Sequence, residues 1–130
     1  MATGERRRLI VDGMNVIGSR PTGWWRDRRG AMAKLVEELA GFAARSGEDL
    51  IVVLDSRPFE LPARSDGIDV RFASARGPDA ADDVIVDIVG AEADPSSLVV
   101  ATSDRRLADR VRALGGETIT AGALRRLLDA

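Results

Sequence analysis

Three aspartates stand where apolar runs stop. Asp12 closes "LIVD", Asp55 closes "VVLD", and Asp104 follows "VVATS". Asp82 and Asp83 stand together in "PDAADDVIVDIV". If the apolar runs are parallel strands, their C-terminal ends share one edge, the edge where such sheets bind ligands. Carboxylates gathered in a partly desolvated cleft repel one another, and a cation relieves that repulsion. An all-oxygen donor set suits Mg²⁺ or Mn²⁺. Asp12, Asp55, Asp82 and Asp104 are therefore candidate metal ligands. Each also has a local reading. Asp104 and Asp79 are good helix N-caps, and Asp12 and Asp55 can each bond the turn after a strand.

The absences narrow the chemistry further. The 130 residues include no His, no Cys and no Tyr. That excludes a Ser-His-Asp triad, a cysteine nucleophile, an imidazole base and a His/Cys zinc site. Net charge is −2, so the chain is not globally basic. Its cations are nonetheless almost all arginine, with Lys34 the one lysine. Guanidinium forks match phosphate geometry, although a compositional bias would produce the same excess.

The elements that must position these groups follow from pattern. "LIVDG" reads as a first strand that runs into a binding loop. Residues 28–45 carry Met32, Leu35, Val36, Leu39 and Phe42 at helical spacing. "DLIVVLDS" is a continuous apolar run, as in a strand covered on both faces. "IDVRFAS" alternates, as at a sheet edge. "DAADDVIVDIVGAEA" reads as a helix whose Asp82 shares a face with Ile85, Val86 and Val89, while Asp83 and Asp87 lie on a more solvated face. "SLVVATS", "DRRLADRVRALG", "ETIT" and "AGALRRLLDA" add a strand, a helix, a short strand and a final helix capped by Thr120. Alternating β and α segments indicate an α/β, three-layer domain spanning residues 1–130 with a mainly parallel five-stranded sheet. Right-handed crossovers favour the order 3-2-1-4-5, which brings Asp12, Asp55 and Asp104 together. No apolar run approaches the roughly 20 residues of a membrane span. There is no secretory h-region, and the lack of cysteine leaves the redox compartment unencoded, so the cytoplasm is the default expectation.

"DGMNVIGS", "VVLDS", "ADDVI" and "VVATSDRRLADRV", in that order, resemble the NYN-type PIN-like ribonucleases, especially their YacP-like bacterial branch. The resemblance implies a PIN-like (Rossmann-like) fold and metal-dependent hydrolysis of RNA phosphodiester bonds. It implies Asp12, Asn15, Asp82 and Asp104 as the catalytic set, with Asp83 as a further acid of the helix motif and Ser103 as the hydroxyl before the last acid. Asp55 matches a position after the second strand. Ala108 stands where some relatives carry another acid, which bears on whether one or two ions are held.

Substrate contact is read from "PTGWWRDRRG". Trp24 and Trp25 beside Arg26, Arg28 and Arg29 suit single-stranded RNA, by stacking and phosphate contact. A hydrophobic anchor for the helix start is the structural alternative. The expectation is that Trp25 packs under the helix while Trp24 and Arg28 reach the substrate. Arg105 and Arg106 after Asp104, with Arg57 and Arg76 on neighbouring loops, are candidates for a basic rim. A phosphatase of the DxDxT type would need an acid where Met14 stands, and a receiver domain would need a late lysine. A non-catalytic RNA-binding or protein-interaction module on the same fold stays open, as does the oligomeric state, a homodimer included.

Overall fold

The structure, a computed structural model, describes residues 7–61, 67–74, 77 and 79–130. Arg76 lies outside the described residues. Five strands, β1 (Arg8–Asp12), β2 (Asp49–Leu54), β3 (Ile68–Phe72), β4 (Leu98–Ala101) and β5 (Glu117–Ile119), form one sheet of order β3-β2-β1-β4-β5. Every pairing is parallel. The helices are α1 (Gly13–Gly18), α2 (Arg28–Ser46), α3 (Ala80–Ala91), α4 (Arg105–Ala113) and α5 (Ala121–Asp129).

The central strands are apolar throughout because both faces are covered. Leu9, Val11, Leu50, Val52, Leu54, Val99 and Ala101 join a core with residues of α1, α2 and α5. Ile10, Ile51, Val53, Leu98 and Val100 join a second core with Ile85 and Val89 of α3 and Leu107 and Val111 of α4. The alternation of a pleated strand thus sorts one run into two cores. Full burial of each Leu, Ile or Val contributes about 1.5–3 kcal/mol. The same alternation fixes the first polar side chain past each core. Asp12 has the parity of Ile10, and Thr102 that of Val100, so both fall on the α3/α4 face of the sheet.

The first departure from sequence expectation is α1. The segment after Asp12 is a short helix and not an extended loop. It offers too few turns for a periodic pattern, but it buries Val16 and Ile17, with Met14 packed against the same core. Its first residue must be glycine for a steric reason. A Cβ on Gly13 would stand 2.7 Å from Leu54 Cδ2 and 2.8 Å from the Val53 carbonyl oxygen. The side chain can yield, but the backbone oxygen cannot.

The second departure reverses the tryptophans. Trp24 and Trp25 open a 3-10 turn, Trp24–Arg26, ahead of α2. Trp24 packs against the α1/α2/α5 core, whereas Trp25 is 56% exposed. The helix start is fixed by Asp27, whose carboxylate accepts from the Gly30 amide at 3.0 Å. Trp25 is therefore free of the packing duty assigned to it from sequence, and Trp24 takes it. Thr120 caps α5 as expected, accepting from the Ala123 amide at 3.0 Å. Asp79 occupies the N-cap position of α3 but makes no side-chain capping bond, contrary to expectation.

Two stability differences follow. Gly13→Ala is expected to cost about 1–3 kcal/mol in urea unfolding, the usual cost of overpacking. Trp24→Ala is expected to cost of the order of 2 kcal/mol and Trp25→Ala less than about 0.5 kcal/mol. Equal losses at the two tryptophans would contradict the packing described.

Candidate active site

Asp12 is the last residue of β1 and only 5% exposed. Its neighbour across the sheet edge is Thr102, one residue past β4. The Thr102 hydroxyl donates to Asp12 Oδ2 at 2.8 Å and accepts from the Asp104 amide at 3.1 Å. The Thr102 amide donates to the Ile119 carbonyl at 2.9 Å, which ties this turn to β5. A single buried threonine therefore sets the relation between the first-strand acid and the acid that starts α4. Sequence reasoning missed Thr102. The signal was its parity with Val100, which sends it to the same face as Asp12.

Asp104 caps α4. Its Oδ1 accepts from the Arg106 and Leu107 amides, at 2.9 and 3.3 Å. The local reading of Asp104 is thus correct as far as it goes, and among the described residues it leaves Oδ2 without a hydrogen bond. Asp82 lies in the first turn of α3, half-buried, above the buried Ile85 and Val89. Burial raises the Asp82 carboxyl above its ordinary range, and Asp104 and Asp79 raise it further, while Arg110 opposes them. Asp12 is pushed up to about 6 from the usual 3.8, first by burial and then by Asp82 and Asp104. The Thr102 hydroxyl and the nearby main-chain amide of Asn15 act the other way. Asp12, Asp82 and Asp104 therefore share one electrostatic neighbourhood.

The remaining sequence candidates are placed around this group. Asn15, in α1, accepts from the Ser103 amide at 2.8 Å through Oδ1. The Ser103 hydroxyl accepts from the Ala121 amide at 3.0 Å and so anchors the start of α5. Asp83 points to solvent and is held by both terminal nitrogens of Arg110 at 3.3 Å. Asp55 follows β2, and it is not among the groups that act on Asp12. Arg105 is exposed at the start of α4, and Arg28 lies over the Trp24 ring at 5.6 Å. Exposed Trp25 has Arg26 over its ring at 5.9 Å.

The donor chemistry of Asp12, Asp82 and Asp104 fits a hard divalent cation, and the raised carboxyls mark the repulsion that a cation relieves. Among the described residues, however, no three acidic side chains stand close enough together to hold a metal ion.

The buried carboxyl makes stability depend on pH. The folded protein holds the Asp12 proton more tightly than the unfolded chain does. That contribution is present in full below 3.8 and is lost as pH rises through about 6. In EDTA, the unfolding free energy is expected to fall by about 2–3 kcal/mol between pH of about 4 and about 7. Asp12→Asn should flatten this fall in urea titrations across that range. An unchanged pH slope in the variant would contradict the burial cost.

The family model of the YacP-like NYN domain matches residues 9–130. Among solved structures, the chain is similar to Rae1 (YacP) from Bacillus subtilis, in its W164L mutant form, with TM-score 0.77 and 24% identity over 95% of this chain and 75% of that one. The structure of Rae1 (YacP) without that mutation matches with TM-score 0.69 and 24% identity, over 93% of this chain and 72% of that one. These likenesses show a common PIN-like fold. Among curated proteins, no sequence match is found. With the family model covering all but its first eight residues, the chain belongs to the YacP-like NYN domain family.

Proposed function

We propose that the chain is a metal-dependent ribonuclease acting on single-stranded RNA. The observation that carries this reading is the buried Asp12 carboxyl, bonded to Thr102 and raised first by burial and then by Asp82 and Asp104. Without a cation, burial beside two further acids is offset only by the Thr102 hydrogen bond and by a retained proton. Asp12, Asp82 and Asp104 would hold Mg²⁺ or Mn²⁺, with Asp55 and Asp83 at the margin. A divalent cation there supplies a water of lowered pKa and stabilises charge at the phosphorus.

The chain's own residues do the positioning. Thr102 holds Asp12 in one rotamer and, through the Asp104 amide, sets the start of α4 beside it. Asn15 spends its carbonyl on the Ser103 amide, leaving its NH₂ group to donate to a phosphate oxygen. Ser103 keeps its hydroxyl proton for the same use, since its oxygen only accepts. Arg105 and Arg28 neutralise backbone charge, and exposed Trp25 offers a face on which a base can stack. In this role Trp25 replaces Trp24, whose ring is committed to the core.

The separation of the acids favours one other reading, an RNA-binding module that does not cut. A cleavage assay on single-stranded RNA with Mn²⁺ or EDTA separates the two. Cleavage with Mn²⁺, abolished by EDTA and reduced at least about 10²-fold by Asp12→Asn or Asp82→Asn, is the expected result. RNA binding without cleavage would establish the second reading. Asp104→Asn is expected to lose activity and keep its fold, because Asn caps a helix as well as Asp does. Asp104→Ala should lose the activity and also about 1 kcal/mol of stability. Trp25→Ala should weaken RNA binding by roughly 1–3 kcal/mol with Mn²⁺ affinity unchanged.

A further inference from the structure

Beside α4 lies a cavity of about 330 Å³. It opens beside Ser103 and is lined by Arg105 and Arg112 of α4 and by Thr120 at the start of α5. Arg105 and Arg112 are seven residues apart, two helical turns, and so share a face. We propose that this cavity is a phosphate-binding pocket for the RNA strand, with Arg112 as its fixed cation. The proposal deepens the ribonuclease reading and rests on it for the identity of the ligand.

The donor and acceptor balance carries the inference. Arg112 donates from one terminal nitrogen to Thr118 Oγ1 at 2.8 Å and from the other to Asp109 Oδ1 at 3.3 Å. Those two bonds orient the guanidinium and, among the described residues, leave three of its five N–H groups without a partner. The Thr120 oxygen accepts from the Ala123 amide, and the Ser103 oxygen accepts from the Ala121 amide. Among the described residues, neither hydroxyl has an acceptor for its proton. Arg105 adds a second guanidinium. Against these donors the lining offers one carboxylate, Asp109, already paired with Arg112. A pocket rich in donors and poor in acceptors, with a net positive charge, matches a phosphate group and disfavours a cation or an apolar ligand.

Its place in the fold ties it to the cleavage site. Thr102 lines the cavity while its hydroxyl holds Asp12 and receives the Asp104 amide. The pocket and the acids are thus separated by one turn of backbone. A phosphate held by Arg112 belongs to the same strand as the one at the acids, and it fixes the register of that strand. Two sources present the same chemistry, an internal phosphodiester and a terminal 5′-phosphate.

The test is binding of single-stranded RNA in EDTA, read by fluorescence anisotropy across a salt series. Arg112→Ala and Arg105→Ala are each expected to weaken binding about fivefold or more and to lower the log–log salt slope by about 0.7, the value for one phosphate on a single strand. Arg112→Lys should restore most of the slope. A set of RNAs with one neutral methylphosphonate linkage should contain a position that weakens the wild-type complex and leaves the Arg112→Ala complex unchanged. Equal affinity for 5′-hydroxyl and 5′-phosphorylated RNA assigns an internal phosphodiester. A gain from the 5′-phosphate that Arg112→Ala abolishes assigns the terminal group. Wild-type affinity and slope in both alanine variants would overturn the pocket, and would leave the ribonuclease reading intact if the protein still cleaves RNA with Mn²⁺. Arg112-dependent binding without cleavage would do the reverse.

Discussion

The hydrogen bond between Thr102 and Asp12 joins the ends of the neighbouring strands β1 and β4, and much of the candidate site is arranged around it. Asp12 is buried at the end of β1, where an isolated carboxylate is costly. Thr102 offsets part of that cost by donating to it, and the same oxygen receives the amide that begins α4. The Thr102 amide reaches β5, and the next residue anchors α5 and binds Asn15 of α1. Elements from both faces of the sheet thus meet at one turn, Thr102 to Asp104. The remaining cost shows in the Asp12 carboxyl, which burial first and then Asp82 and Asp104 push up to about 6. Stability and the proposed chemistry pull in opposite directions at this point, as is common at functional sites.

What was legible in the sequence follows from which physical signals are local. Continuous apolar runs at 9–11, 50–54 and 98–101 announce strands covered on both faces, and each is so covered. The position of Asp82 above Ile85 and Val89 was readable because a helix face is periodic. The order of the strands was readable because crossovers have one hand. What failed was short or relational. α1 spans six residues, too few for a pattern, and its burial depends on Leu54 and α2. The two tryptophans cannot be told apart by sequence, because which one packs is decided by the direction of a single 3-10 turn. The role of Thr102 requires knowing that β1 and β4 are neighbours in register, Val11 beside Ala101.

Asp104 at the start of α4 acts on Asp12 and Asp82, while Arg105 and Arg112 line the cavity beside Ser103 and Thr120. A polyanion needs both kinds of surface. Its phosphates bind arginines directly, but they approach a group of carboxylates only with cations between. The exposed Trp25 and its neighbour Arg26, ahead of α2, extend the same logic to the bases. Acidic, cationic and aromatic groups on one chain are what the proposed activity needs from a protein of net charge −2.

The central proposal is that Asp12, Asp82 and Asp104 come together around a divalent cation. The most direct test is a crystal of this protein grown with Mn²⁺ and measured at the manganese absorption edge. An anomalous peak bounded by carboxylate oxygens of those three residues is the expected result. No peak at Asp12, or a Mn²⁺ ion held elsewhere while Asp12, Asp82 and Asp104 remain apart, would contradict the account.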